Sequence, residues 1–265
     1  MKAKNISIKL FVLITFIIMV AMNALANIIP INGITTGDVS DSYPNLFAPA
    51  GLTFAIWGVI YILLAIYTIY QLIAFKPTGY SEKAHIFKSV GIAFSISSVA
   101  NTIWILAWHY GNIPLSLGLM LVILVCLAVI NLILKNNRFT LAEKFLIKLP
   151  FSVYFGWITV ATIANVTTLL VDMQWGRFGL SEVLLTVIVL LVGVLIGAAT
   201  IILNRDIAFG LVIIWAYIGI LIKHISESGF NWAYFSVVAT VVVCLALLIA
   251  TEVYLIFFKK SKTIY

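Results

Sequence analysis

Three groups of aromatic and amide residues recur at helical spacing. Phe54, Trp57 and Tyr61 stand at offsets 0, +3 and +7, as do Asn101, Trp104 and Trp108; Tyr154, Trp157, Ala161 and Asn165 stand at 0, +3, +7 and +11. Each set falls on one face of an α-helix. Indole and phenol rings offer flat surfaces for stacking, and amides and the Tyr61 hydroxyl offer directional hydrogen bonds. The chemistry they suit is capture and orientation of a flat, mostly apolar molecule. No Ser-His pair, carboxylate pair or metal-ligand spacing accompanies them, so no catalytic or metal residue is expected. His85, His109 and His224 are scattered, and Cys126 and Cys244 lie in apolar runs without a C-x-x-C spacing.

The elements that must position these faces follow from composition. With 63% hydrophobic and 9% charged residues, against a usual charged fraction of roughly a quarter, the chain reads as an integral membrane protein. Its apolar runs are about 20 residues long, which predicts an all-α protein rather than a barrel. Eight helices are expected, near 6–29, 49–75, 87–109, 115–134, 145–170, 181–203, 207–222 and 232–258. The first follows Lys2, Lys4 and Lys9 and ends near Ala24-Leu25-Ala26, a pattern shared with signal peptides. Apolar character continues through Ile29, so a retained transmembrane helix is expected.

The net charge of +7 is dispersed between apolar runs instead of gathered in one patch, which argues against nucleic acid. Only Arg177 and Lys223 of the 16 cations fall on one side of an eight-helix arrangement. By the positive-inside rule that side is expected to be outer and both termini cytoplasmic, and the plasma membrane of a prokaryote is the expected location. The loop 30–43 carries no Lys or Arg and is expected outside, directly before the aromatic helix. On this arrangement Trp57 lies about 12 Å along its helix from Pro49, and Asn101 about 12 Å from His109. The polar and aromatic atoms thus share the outer half of the membrane, where an amide faces protein or a cavity because lipid offers it no partner. Trp108, nearer the interface, reads as an anchor.

At these residues the chain resembles the tryptophan-rich sensory protein and translocator protein family, also called the peripheral benzodiazepine receptor family. A proline-rich entry to the second helix precedes W-x-x-x-Y, here Pro44, Pro49, Trp57 and Tyr61. The third helix carries N-x-x-W in Asn101 and Trp104, and the fifth carries Trp157, Ala161 and Asn165. The chain departs from the family pattern at Val153, where a proline is usual and Pro150 is displaced, at Ala48, and in the position of Phe54. It also continues for three helices beyond the family's five. The resemblance therefore covers residues 1–170 as a five-helix bundle, with 171–265 as three additional helices packed on it.

The resemblance implies a pocket for porphyrins, sterols or aromatic drugs, covered by the first outer loop. The expected binding residues are Phe54, Trp57, Tyr61, Asn101, Trp104, Trp157, Ala161 and Asn165. The expected function is a non-enzymatic receptor or carrier for a hydrophobic aromatic ligand, with a porphyrin, haem or other tetrapyrrole as the candidate. The alternative is a proton-coupled or passive transporter. The bilayer, the ligand and a second copy of the chain are the candidate partners. Glu252 is the one acid well inside an apolar helix, expected to reach the inner interface or pair with a cation. Asp172, Gln174 and Trp175 read as solvated loop.

Overall fold

The computed structural model describes residues 2–73 and 82–257. Among these, eight helices are long and apolar enough to cross a membrane, and no strand occurs. They are α1 (Lys2–Ile28), α3 (Ile56–Ile73), α4 (Glu82–His109), α5 (Ile113–Lys135), α7 (Leu149–Asp172), α8 (Glu182–Asn204), α9 (Ile207–Ile225) and α10 (Phe235–Phe257). Two short helices complete the set, α2 (Thr36–Asp41) in the loop after α1 and α6 (Leu141–Glu143) before α7. Lys76 and Phe75, expected at the end of the second span, and Lys259, Lys260 and Lys262, expected to close the chain, lie outside the described residues.

Lipid and protein interior are both apolar, so small and polar residues select the packed face of each helix. In α1, Val12, Phe16, Met19, Asn23 and Ala26 are buried, while Phe11, Ile14, Ile18 and Leu25 are exposed. In α4, Ser95, Ser98 and Asn101 turn inward while Ile92, Ile96 and Val99 face out. Polar turn residues set the ends. Asn112 caps α5 by accepting from the Leu115 amide at 3.3 Å, Ser181 caps α8 through Leu184 at 3.2 Å, and Asp206 caps α9 through Phe209 at 3.2 Å.

Two boundaries differ from expectation for local reasons. The aromatic helix does not begin at Pro49: Gly51–Ala55 form a 3-10 turn and the α-helix starts at Ile56. The Ala50 amide is spent on the Gly219 carbonyl of α9 at 3.0 Å, outside its own helix. Ahead of α7, Lys144–Lys148 form a π-helical turn. Pro150 has no amide hydrogen and crowds the carbonyl four residues earlier, and a wider turn at that point relieves both.

α4 packs most extensively on α5 and α1, and α7 joins this group through α5 and α3. α7 also packs on α9, and α10 packs on both α8 and α9. The α7–α9 joint depends on Gly156, where a Cβ would lie 2.9 Å from both the Phe209 carbonyl oxygen and Val212 Cβ. A buried glycine in a helix normally gains about 1 kcal/mol on replacement by alanine. Gly156→Ala is expected to reverse that sign and lose about 1 kcal/mol net, because the neighbour is backbone and overpacking outweighs propensity. Chemical denaturation of the detergent-solubilised protein measures it; a gain in stability would show the joint to be loose.

Candidate functional site

Trp57 occupies the centre of the aromatic group. Its ring stacks on Tyr61 at 5.5 Å between centroids and meets Trp104 at 6.0 Å, Tyr154 at 6.0 Å and Trp157 at 6.1 Å, the last two edge to face. Phe54, in the 3-10 turn, stands edge-on to Trp157 at 5.9 Å. Faces of α3, α4 and α7 therefore converge. Above them lies a cavity of about 40 Å³, mouth excluded, so a ligand larger than a few atoms enters only as the rings or the segment above them shift.

Six of the expected residues line this cavity: Phe54, Trp57, Trp104, Trp157, Ala161 and Asn165. Tyr61 and Asn101 do not. Tyr61 backs Trp57 from below, its hydroxyl buried without a partner. Asn101 is committed within the protein: its Oδ1 accepts from Asn23 Nδ2 at 2.7 Å and its Nδ2 donates to the Tyr154 hydroxyl at 3.1 Å. Asn23 on α1, buried at 4% exposure, is the partner that sequence reasoning missed. An Asn within the apolar run of α1 is the available signal.

The lining also includes residues not anticipated. Ala164 and Thr168 continue the α7 face at +7 and +11 from Trp157, a spacing visible in the sequence but carried by small side chains. Thr36 and Ser40 come from α2, Met120 from α5, and Trp108 from the last turn of α4. Trp108 is 5% exposed and stacks on Trp104 at 6.0 Å, so it is a wall of the site and not an interfacial anchor.

No lining side chain carries a charge. Three lining polar atoms are buried without a hydrogen-bond partner: Trp104 Nε1, Trp157 Nε1 and Asn165 Oδ1. The Asn165 amide is held at its other end, Nδ2 donating to Ser116 Oγ at 2.9 Å. Buried donors and acceptors are almost always paired, so two indole donors and one amide acceptor left unpartnered on residues that line one cavity stand out. Farther from the mouth the bundle is closed by a ring layer in which Tyr67 meets Phe151 at 4.7 Å and Phe94 at 5.8 Å, and Phe94 meets Phe151 at 5.3 Å.

The segment 30–50 covers the mouth. Its α2 opens with a reciprocal cap: Thr35 Oγ1 accepts from the Asp38 amide at 3.3 Å, and Asp38 Oδ2 accepts from the Thr35 amide at 3.0 Å and hydroxyl at 2.7 Å. These bonds hold the Asp38 carboxyl below its ordinary range. One side of the cover is tied to α4. Trp108 Nε1 donates to the Thr36 carbonyl at 3.2 Å, His109 Nδ1 donates to the Ile31 carbonyl at 3.0 Å, and His109 Nε2 lies 3.1 Å from Thr36 Oγ1.

The other side is tied to α9, a connection without precedent in the sequence reading. His224 Nε2 donates to the Leu46 carbonyl at 2.9 Å, Lys223 pairs with Asp41 at 2.8 Å, and Trp215 Nε1 donates to the Thr53 carbonyl at 3.0 Å. With the bond from Ala50 to Gly219, α9 holds the whole descent from cover to aromatic helix. Beside the cover, Asn45–Phe47, the end of α7 and the start of α8 line a second, open recess of about 250 Å³. Gln174 and Trp175, expected as solvated loop, line it.

A family model described as TSPO-like protein matches residues 9–254. The match runs past residue 170 through α8 and α9 and most of α10. Comparison with curated proteins and with solved structures finds no match. Eight membrane-length helices, three indole- and amide-bearing faces meeting under a covering loop, and a match over nearly the whole length lead to one conclusion: the chain belongs to the TSPO-like protein family.

Proposed function

We propose that this protein is a membrane receptor or carrier that binds a flat hydrophobic aromatic ligand between the indoles of Trp57, Trp104 and Trp157, beneath the 30–50 cover. Family membership supports a membrane protein that binds hydrophobic ligands. The observation that carries the finer reading is the set of three unpartnered polar atoms on a mostly apolar, uncharged wall. A ligand that satisfies them presents an acceptor to Trp104 and Trp157 and a donor to Asn165, with a conjugated ring system against the indoles. Tetrapyrroles combine pyrrole N–H donors, carboxylate or carbonyl acceptors and a broad π-face, so a porphyrin is the ligand to test first. With the cover on the outer side, the pocket takes its ligand from outside.

Receptor or carrier is favoured over open conduction, because the Tyr67, Phe94 and Phe151 layer obstructs the bundle below Trp57. Saturable quenching of tryptophan fluorescence by protoporphyrin is expected on titration of purified protein. Quenching that rises linearly without saturation would remove the porphyrin reading. Within it, Trp104→Phe keeps a ring and removes one indole donor. Such a neutral hydrogen bond contributes about 0.5–1.5 kcal/mol, so affinity is expected to fall about three- to tenfold. Trp157→Phe should behave alike, and isothermal titration calorimetry separates the loss of a donor from the loss of a fluorophore.

A further inference from the structure

The end of the bundle remote from the cover holds an acid that the pocket does not use. Glu252 on α10 does not reach the interface: it is 5% exposed, and neither carboxylate oxygen has a hydrogen-bond partner. Its carboxyl lies directly on the α9 backbone at Gly210, in space that a Cβ at that position would occupy. Asp206, 6% exposed, is the second buried carboxyl at this end and stands one helical turn before Gly210, whose amide donates to the Asp206 carbonyl at 3.3 Å.

The two acids are provided for differently. Asp206 accepts from the Phe209 amide at 3.2 Å and from Ser152 Oγ at 2.5 Å, at the positive end of α9, which suits an ionised carboxylate. Glu252 receives no donor. Among the described residues no cation reaches it: α7, α8 and α10 carry no Lys or Arg, α9 has its Lys223 and His224 at the far end, Arg205 in the α8–α9 turn is exposed, Lys135 is taken by Asn204 Oδ1 at 3.3 Å, and Lys148, half-buried just ahead of α7, makes no bond to Glu252. The titratable group facing Glu252 from α9 is Asp206, itself acidic. Among the described residues an ionised Glu252 would have no donor, no countercharge and a second acid near it, the arrangement in which one of two carboxyls keeps a proton.

We propose that Glu252 is a proton-binding site, neutral while α9 and α10 are packed at Gly210 and ionised when that contact opens. On opening, the proton leaves the carboxyl oxygen for an entering water, and the carboxylate remains hydrated. Gly219, which holds the cover through Ala50, lies about 14 Å farther along the same helix. Displacement of α9 at Gly210 therefore strains the tie at Gly219, and pocket closure and proton retention favour each other. This second half rests on the ligand-binding reading of the pocket.

Infrared pH-difference spectroscopy on the ligand-free protein tests the site alone. A carboxylic-acid carbonyl band that shifts in deuterium oxide is expected to disappear as pH rises, to be missing in Glu252→Gln and to persist in Asp206→Asn. The wild-type band needs no variant to be seen. Its absence overturns the proposal, as does its persistence in Glu252→Gln or its loss in Asp206→Asn. A sodium-dependent carboxylate band in place of the acid band would overturn it in favour of a cation site. For the coupling, protoporphyrin affinity of wild type should weaken by up to tenfold per pH unit across the range where the band is lost, while Glu252→Gln stays level. Equal pH dependence in both refutes the coupling. A wild type that binds no porphyrin at any pH instead refutes the pocket reading and leaves the infrared result standing.

Discussion

Trp57→Ala is expected to lose about 3 kcal/mol of stability and to abolish saturable protoporphyrin binding at micromolar concentration. The size of the effect follows from position. Trp57 touches Tyr61, Trp104, Tyr154 and Trp157, rings contributed by three different helices, so truncation removes four aromatic contacts and opens a void between α3, α4 and α7. Aromatic pairs contribute about 0.5–1.5 kcal/mol each beyond area burial, and partial exposure of Trp57 at the cavity keeps the total in the lower part of the range for large-to-small changes. The comparison with Trp57→Phe is decisive. Phenylalanine keeps a ring in the stack and should recover most of the stability, while its smaller face weakens ligand stacking. Urea unfolding followed by circular dichroism reports the first effect, and absorbance of bound porphyrin after gel filtration reports the second. If Trp57→Ala were stable and bound normally, the central ring would be dispensable and the pocket would have to lie elsewhere.

The number and length of the spans could be read from the chain because a bilayer demands long apolar runs, and charged turns separate them. The faces were harder. Lipid and core select the same side chains, so only residues that lipid disfavours carry information, which is why Asn165 and the indole of Trp157 were placed on the cavity wall from spacing alone. The same argument misdirected Asn101. Periodicity gives the face and depth of an amide but not whether another helix has already satisfied it, and Asn23 with Tyr154 does so. Trp108 was misread for a related reason: proximity to a helix end says nothing about whether a loop folds over that end, and here Thr36 accepts its indole hydrogen.

The attachment of α9 to the cover left still less trace. Its bonds end on the main-chain carbonyls of Leu46 and Thr53 and pass from the Ala50 amide to the Gly219 carbonyl, groups that every residue possesses. Residue types at 46, 50 and 53 therefore give no sign of the contact. Gly219 does, since it is the residue that allows the chain of Thr53 to approach, but a glycine in an apolar helix has many possible causes.

That close approach sets the second large effect. Gly219→Ala in an unobstructed helix would stabilise by about 1 kcal/mol. Here a Cβ would meet the Thr53 side chain, with Thr53 Cγ2 at 2.7 Å and Thr53 Cβ at 2.9 Å, and Oγ1 nearer still. Thr53 is fully buried and its backbone is held at both ends, the amide on the Ala50 carbonyl at 2.9 Å and the carbonyl on Trp215. Rotating the side chain leaves its Cβ in the way, so residues 50–55 must move off α9. The substitution is expected to cost about 2 kcal/mol and to loosen the cover, seen as faster proteolysis within 30–50 and weaker ligand retention. Thr53→Ala removes the two nearest atoms and should be mild alone. Combined with Gly219→Ala it should recover about half of the loss, since Thr53 Cβ remains 2.9 Å from the added methyl, a coupling of about 1 kcal/mol that two independent sites would not show. Additive single effects, or unchanged proteolysis in Gly219→Ala, would mean that the cover is held by α4 alone. Recovery would make α9 part of the ligand site's closure and give the helices after residue 170 a role in binding.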